Sequence, residues 1–497
     1  MKKAHLVFIP SPGVGHLVSA VEFSRRLLAR DARLSITILA MTSPFPTSTS
    51  LPQTTSTPST DSNSPGEPHY IFLPQADLPP KEVLENSMEE YISKFAASHS
   101  HHVRTALLTL QESSLDRVRF HLVVDMFCTS LIDVGKDLGI PSYLFLTSGA
   151  AFLSLLLHLP ERFLRTGVPR FDESEPEIAI SGFQNPVPSS ALPEFAFNTS
   201  GYTALMSHAN KLEETNGLII NTFAELEPFA IKSLREVYDE LAAGTESEIK
   251  IQRFRPPLFT VGPVLDLKGQ ARRPGDASQE SKIMKWLDTQ PEASVVFLCF
   301  GSVGAFSEEQ AKEIANGLTQ SGQRFLWSLR KKTTTGAKRP MEYTDAELKG
   351  VLPKEFWGAV EGGRGLVCGW APQAEILAHK AIGSFVSHCG WNSTLESVWF
   401  GKPIVAWPLY AEQPSNAFEL VNELGLAAAW LGYGGKPGDL VTADEVERAV
   451  RSVMDSDNPV RSRAKEMSEA SKSALLNGGS SFDSIGCLMR KIIGDEL

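Results

Sequence analysis

Residues 6–30 read LVFIPSPGVGHLVSAVEFSRRLLAR, and residues 294–318 read SVVFLCFGSVGAFSEEQAKEIANGL. Each starts as a short apolar, β-branched run, passes through a glycine turn, and continues with the apolar spacing of a helix. Glycine in such a turn lets the backbone approach a bound group, and the following helix offers unpaired N–H groups to an anion. Ser307 and Gln310 stand at capping-box spacing where the second helix begins. One strand–turn–helix unit in each half predicts an α/β chain with two doubly wound parallel sheets.

The flanking sequence extends the pattern. In the first half HLVFI (5–9), LSITILA (34–40), YIFL (70–73), HLVVDM (121–126), SYLFL (142–146) and GLIIN (217–221) read as strands. In the second half SVVFLCF (294–300), RFLWSL (324–329), GLVC (365–368), GSFVS (383–387), PIVAW (403–407) and AAAW (427–430) do the same. The Ser/Thr/Pro-rich stretch 42–68 is expected to be an exposed loop that interrupts the first domain without dividing it. Prolines, glycines and charges between 253 and 281 mark the boundary. The expected domains are 1–255 and 256–475, with an amphipathic helix over 476–497 returning to the first.

A length of 497 residues exceeds what one core usually serves. With 42% hydrophobic and 21% charged residues the composition is that of an ordinary globular protein. A net charge of -11, with no basic run longer than LRKK (329–332), argues against nucleic acid as the main partner. Five scattered cysteines (128, 299, 368, 389, 487) fit reduced thiols and a cytosolic setting. The apolar stretch from Leu144 to Pro160 falls short of a membrane span and carries Thr147, Ser148 and His158.

A third strand-to-helix turn, SHCGWNSTLES (387–397), crowds His388, Cys389, Trp391, Asn392 and Ser393 around Gly390. If the helix starts near Asn392 or Ser393, its free N–H groups, the hydroxyls and the amide converge on a phosphate-sized site. A capping box, with Ser393 as cap and Glu396 reaching back, explains the same residues. The spacing of Cys368, His379, His388 and Cys389 matches no zinc pattern, so no metal is expected. Cys389 reads as packing rather than nucleophile, Asp455-Ser456-Asp457 as a turn, and His99, His101 and His102 as a solvated helix face. The first turn has Gly13 and Gly15 but Val18 where a dinucleotide fingerprint needs glycine, which weakens a nicotinamide-dependent oxidoreductase reading.

Taken together, WAPQAEILAHKAIGSFVSHCGWNSTLESVWFGKPIVAWPLYAEQ (Trp370 to Gln413), with PGVGH near the start and CFGS at 299–302, resembles the signature box of plant small-molecule UDP-glycosyltransferases. The resemblance implies a GT-B architecture, two Rossmann-like domains facing across a cleft. It implies Trp370 stacking on uracil, with Gln373 at its family position in the box, and Glu396 on the ribose. His388, Asn392 and Ser393 would hold the diphosphate with Ser302 nearby, and Glu412 and Gln413 would bind the sugar with Thr147 on the opposite side. Trp391 and Gln413 resemble the pattern of UDP-glucose users; a basic residue in place of the tryptophan would have pointed to a glucuronate donor.

The same resemblance makes His16 the base and Asp125 its supporting acid. The implied activity is inverting transfer of glucose from UDP-glucose, as co-substrate and without a cofactor, to a hydroxyl of a flavonoid or other phenol. Terpenoid alcohols, another UDP-hexose and a non-catalytic UDP-sugar binder are the alternatives. Met88, Phe127, Phe152, Phe197 and Met206 are expected as apolar acceptor walls. A monomeric cytosolic enzyme without membrane insertion is expected.

Overall fold

The computed structural model describes residues 3–45, 66–114, 118–242, 256–267, 277–332, 340–435 and 439–494. The first sheet holds β1 (Ala4–Ile9), β2 (Leu34–Ala40), β3 (His69–Phe72), β4 (Arg119–Asp125), β5 (Ser142–Leu146), β6 (Leu218–Ile220) and β7 (Leu258–Thr260). All are parallel, in the order β3-β2-β1-β4-β5-β6-β7. The second sheet holds β8 (Val295–Cys299), β9 (Arg324–Ser328), β10 (Gly365–Cys368), β11 (Ile382–Ser387), β12 (Ile404–Ala406) and β13 (Ala427–Trp430). It is also parallel, in the order β10-β9-β8-β11-β12-β13.

Both sheets therefore repeat one winding, out from the first strand and back from the fourth. In such sheets ligands bind beyond the strand carboxyl ends where the winding reverses, between β1 and β4 and between β8 and β11. Register makes the two crevices equivalent: Ile9 pairs with Val124, and Cys299 with Ser387. The turns that follow β1 and β8 are thereby level with Asp125 and His388.

Strand β7 was not legible: its three residues lie between Pro257 and Pro263, and pairing with β6 alone makes it a strand. It carries the first sheet past residue 256, the expected domain start. The helix Ala150–Thr166, with Pro160 inside it, is buried along most of its length as a core element. Among the described residues no helix is long and apolar enough to cross a membrane.

The Ser480–Ile493 helix lays Ile485, Leu488, Met489, Ile492 and Ile493 against Leu6, Phe8, Phe145 and Ile219 of the first sheet. His121 Nε2 lies 2.9 Å from the Ile492 carbonyl, and the Arg30 guanidinium sits 3.6 Å over the Phe482 ring. Elsewhere Phe223 and Leu226, which follow β6, insert into a cluster with Trp391, Leu395, Ala417 and Leu420. The two domains thus share a core.

Two local readings change and one holds. Ser307 Oγ accepts from the Gln310 N–H at 3.2 Å, but the Gln310 side chain binds both backbone groups of Val441, so the box is half-formed. A full capping box occurs instead at Thr442 and Glu445, because no competing partner draws that glutamate away. His99 is buried, its Nδ1 2.9 Å from the Phe95 carbonyl, whereas His101 is exposed. The Asp455–Asp457 segment is a turn, as expected, closed by a 3.1 Å bond from the Asp457 N–H to Asp455.

Leu488→Ala is expected to destabilise the protein by ~2–5 kcal/mol, because it empties a site packed from helix and sheet. Leu476→Ala, at an exposed position, should stay within about 0.5 kcal/mol. Chemical denaturation of both variants checks the contrast.

Candidate active site

The β1 turn brings His16 to the start of the helix Val14–Arg30, and β4 ends at Asp125. His16 Nδ1 lies 2.8 Å from Asp125 Oδ2 and 3.1 Å from Thr147 Oγ1. Asp125 is 3% exposed; Ser11 Oγ donates to its Oδ1, and the Phe127 N–H donates to the same oxygen at 3.2 Å. His16 Nε2 has no hydrogen-bond partner among the described residues, and the side chain is 31% exposed. The acid thus fixes the tautomer and leaves the other nitrogen to accept a proton.

Burial disfavours the charged imidazole. The Asp125 carboxylate, by charge and hydrogen bond, together with the charge of Glu412, outweighs burial and holds the His16 pKa above its ordinary value. Burial likewise pushes Asp125 up, but His16, Ser11 and the Phe127 N–H hold it below the usual carboxylate range. The pair joins a partly exposed imidazole to a buried carboxylate, and Glu412 belongs to the other domain.

Across the cleft, the turn after β8 has Gly301 at φ 69°, where a Cβ would lie 2.4 Å from His388 Nε2. Only glycine fits there. His388 is buried with Nδ1 unpartnered, and burial, then Arg330, push its pKa down to about 4. The helix starts at Trp391, earlier than expected, and its N-cap Gly390 contributes no side-chain cap. The capping-box alternative fails: Gln373 Nε2, at the start of the helix Gln373–Ala378, donates to both Ser393 Oγ (2.8 Å) and Glu396 Oε2 (2.7 Å), and no side chain caps the Trp391 helix. Burial, with Asp266 adding to it against Gln373, raises Glu396 to about 7.

Other expected donor-site residues are placed as follows. Trp370 is half-buried, its N–H donating to Glu342 Oε1 at 3.0 Å and its carbonyl accepting from Gln279 at 2.7 Å. Ser302 is exposed on the β8 turn. Gln413 is buried, its Oε1 accepting from the N–H groups of Leu409 and Tyr410. Trp391 and Asn392 also reach the first domain. Trp391 is 2% exposed and donates Nε1–H to the Asn221 carbonyl at 2.7 Å, so its ring serves the domain interface. Asn392 donates to the Gly15 carbonyl at 3.2 Å and accepts from Ser19 at 3.3 Å, tying the two glycine-turn helices together.

Of the expected acceptor walls, Phe127 meets the His16 ring edge-on at 6.1 Å. Phe152 is core, edge-on to Phe195; Phe197 and Met206 are partly buried against that core, and Met88 is exposed. Among the described residues no three His, Cys, Asp or Glu side chains cluster as a metal site. Burial pushes the Cys389 thiol up to about 12, which suits packing. Sequence reasoning missed Ser11, hidden in a Pro-Ser-Pro-Gly turn, and Arg330, whose only signal was its place in LRKK.

The family described as UDP-glucoronosyl and UDP-glucosyl transferase matches residues 256–465. Over 505 aligned residues the chain is 46% identical to UDP-glycosyltransferase 71K2 of Pyrus communis, covering 100% of this chain and 99% of that one. It is 43% identical over 502 residues to UDP-glucose flavonoid 3-O-glucosyltransferase 6 of Fragaria ananassa, covering 99% of each. Medicago truncatula UGT71G1, solved as a complex with UDP-glucose, matches with a TM-score of 0.83 at 42% identity over 99% of both chains. Full-length likeness in sequence and fold, joined to this paired-crevice geometry, makes the chain a member of the UDP-glucuronosyl and UDP-glucosyl transferase family with the GT-B fold.

Proposed function

We propose that this enzyme is an inverting O-glucosyltransferase that moves glucose from UDP-glucose to a hydroxyl of a small phenolic acceptor. The observation that carries the reading is the His16–Asp125 pair, in hydrogen-bond contact and close enough to Glu412 of the other domain to feel its charge. A flavonoid-acting relative and the Phe127 ring beside His16 support a flat aromatic acceptor.

In this mechanism the acceptor oxygen attacks the anomeric carbon while His16 Nε2 takes its proton. The bond from that carbon to the diphosphate breaks, and its electron pair leaves with UDP. A phenol near pKa 10 stands about 3.5 units above an ordinary histidine, a gap of roughly 4.8 kcal/mol. Asp125 narrows that gap by stabilising the imidazolium. The leaving charge is met by His388, Ser393, the N–H groups of the β8 turn and the N-terminus of the Trp391–Trp399 helix. Trp370 stacks on uracil, Glu396 accepts the ribose hydroxyls with Gln373 orienting it, and Glu412 and Gln413 hold the sugar. Thr147 and Ser11 steady the catalytic pair.

Incubation with mixed UDP-sugars and a panel of phenols and terpenoid alcohols, read by mass spectrometry, should give a phenol heavier by one hexose. UDP release without product would leave the donor half standing and refute the phenol. His16→Ala should lower kcat by ~100- to 10,000-fold while UDP affinity stays within about twofold. His16 must be neutral to act, so the rate rises with pH through its pKa. Asp125→Asn removes the interaction that raises this pKa, and the acidic limb of the kcat/KM profile should move to lower pH as the rate falls.

Ribose hydroxyls donate to an ionised Glu396. Uridine affinity should therefore weaken toward about tenfold per unit as pH falls below the Glu396 value of about 7. Glu396→Gln should bind uridine weakly and without that pH dependence; calorimetry across pH 5 to 8 reads both.

A further inference from the structure

The run Leu329–Lys332 is the longest basic cluster in the chain, and the mechanism above gives it no part. Strand Arg330–Lys331 pairs antiparallel with Met341–Glu342, and Arg330 stands opposite Glu342. The two side chains form no ion pair with each other. Each is committed to backbone on a different wall of the nucleotide site.

Arg330 grips the turn after β8. Its Nη1 donates to the Ser302 carbonyl at 2.7 Å, and its Nη2 donates to the Gly304 carbonyl at 3.2 Å and to the Gly301 carbonyl. In a trans peptide the N–H points opposite to the C=O of the same unit. Holding these three carbonyls therefore turns the N–H groups of Ser302, Val303 and Ala305 away from the guanidinium. A turn so braced presents N–H groups on one side with a positive charge behind them, which is the make-up of an anion-binding concavity. A lysine has a single point charge and cannot hold three carbonyls in this fork geometry.

Glu342 grips the other wall. Its Oε1 accepts the Trp370 N–H at 3.0 Å, and its carboxylate lies so close to Gly369 that a Cβ there would stand 2.5 Å from Oε2. Gln279 Nε2 donates to the Trp370 carbonyl at 2.7 Å. The tryptophan backbone is thereby fixed at both its donor and its acceptor.

We propose that this two-stranded ribbon is a positioning element that couples the two walls. Arg330 presets the turn that receives the diphosphate, Glu342 presets the Trp370 platform for the base, and ladder pairing makes the two settings interdependent. The assignment rests on the UDP-sugar reading of the site. It predicts that the residues act on different parts of the nucleotide and not merely on folding.

The test measures UDP and uridine affinity by calorimetry, and kcat and KM, for the wild type, Arg330→Lys, Arg330→Met, Glu342→Gln and the double variant. Thermal unfolding monitors the fold. Arg330→Met should weaken UDP by ~10-fold or more, the scale of a charged hydrogen-bond set, leave uridine within about twofold, and lower kcat. Arg330→Lys should not restore it. Glu342→Gln should weaken UDP and uridine equally, by roughly threefold to tenfold, and raise KM with kcat nearly unchanged. The double variant should depart from the product of the single effects by about threefold or more.

Equal loss of UDP and uridine in Arg330→Met, full rescue by lysine, or a double variant equal to the product would each overturn the proposal. If Arg330→Met does not fold, an unchanged uridine affinity in Glu342→Gln overturns it and a weakened one upholds it. A wild type that binds neither UDP nor uridine would instead refute the UDP-sugar reading itself.

Discussion

Parallel pairing of β1 with β4, with Ile9 level with Val124, is the constraint on which the site depends. It places a glycine turn carrying His16 beside a strand end carrying Asp125, although the two residues lie 109 positions apart. A register slip by one residue would turn Asp125 to the other face of the sheet and separate the pair. The second sheet repeats the device with Cys299 level with Ser387, and there it joins Gly301 to His388. One winding rule, used twice, builds both crevices.

The faces that carry these residues are held together by atoms a motif would assign to the ligand. Trp391 reaches into the first domain to bond the Asn221 carbonyl, and Gly149 permits it, since a Cβ there would lie 2.8 Å from the indole. Asn392 closes on Gly15 and Ser19. Phe223 and Leu226 repay the contact in the opposite direction by entering the second domain's core. Cleft geometry is thus set by a packed interface, and residues at the N-terminus of one helix divide between gluing the domains and facing the cleft.

Two residues with side chains adopt left-handed backbone just before site residues: Cys389 at φ 63°, ahead of the Trp391 helix, and Ala411 at φ 54°, ahead of Glu412. Such conformations cost about 1–2 kcal/mol and persist where the surroundings over-determine them. Cys389 is fully buried, with its N–H held by Ser387 Oγ at 3.1 Å. The two strained positions adjoin His388 and Glu412 in the chain.

Sequence alone determined the alternation of strands and helices and the glycine turns, because these are local in spacing; His16, Asp125 and the box residues were singled out by resemblance to a family signature. Strand β7 escaped it, since three residues among prolines become a strand only by pairing. So did Ser11, Arg330 and Glu342, whose partners lie 114, 28 and 28 residues away. What Trp391 and Asn392 do, that His99 is buried, and where the Gln310 side chain goes were decided by tertiary structure. Trp391, Asn392 and Gln310 each bond a partner 131 or more residues away, and His99 is covered by packing while it bonds the Phe95 carbonyl four residues back; a polar group left unmet inside a protein is costly, so such partners decide where these side chains go.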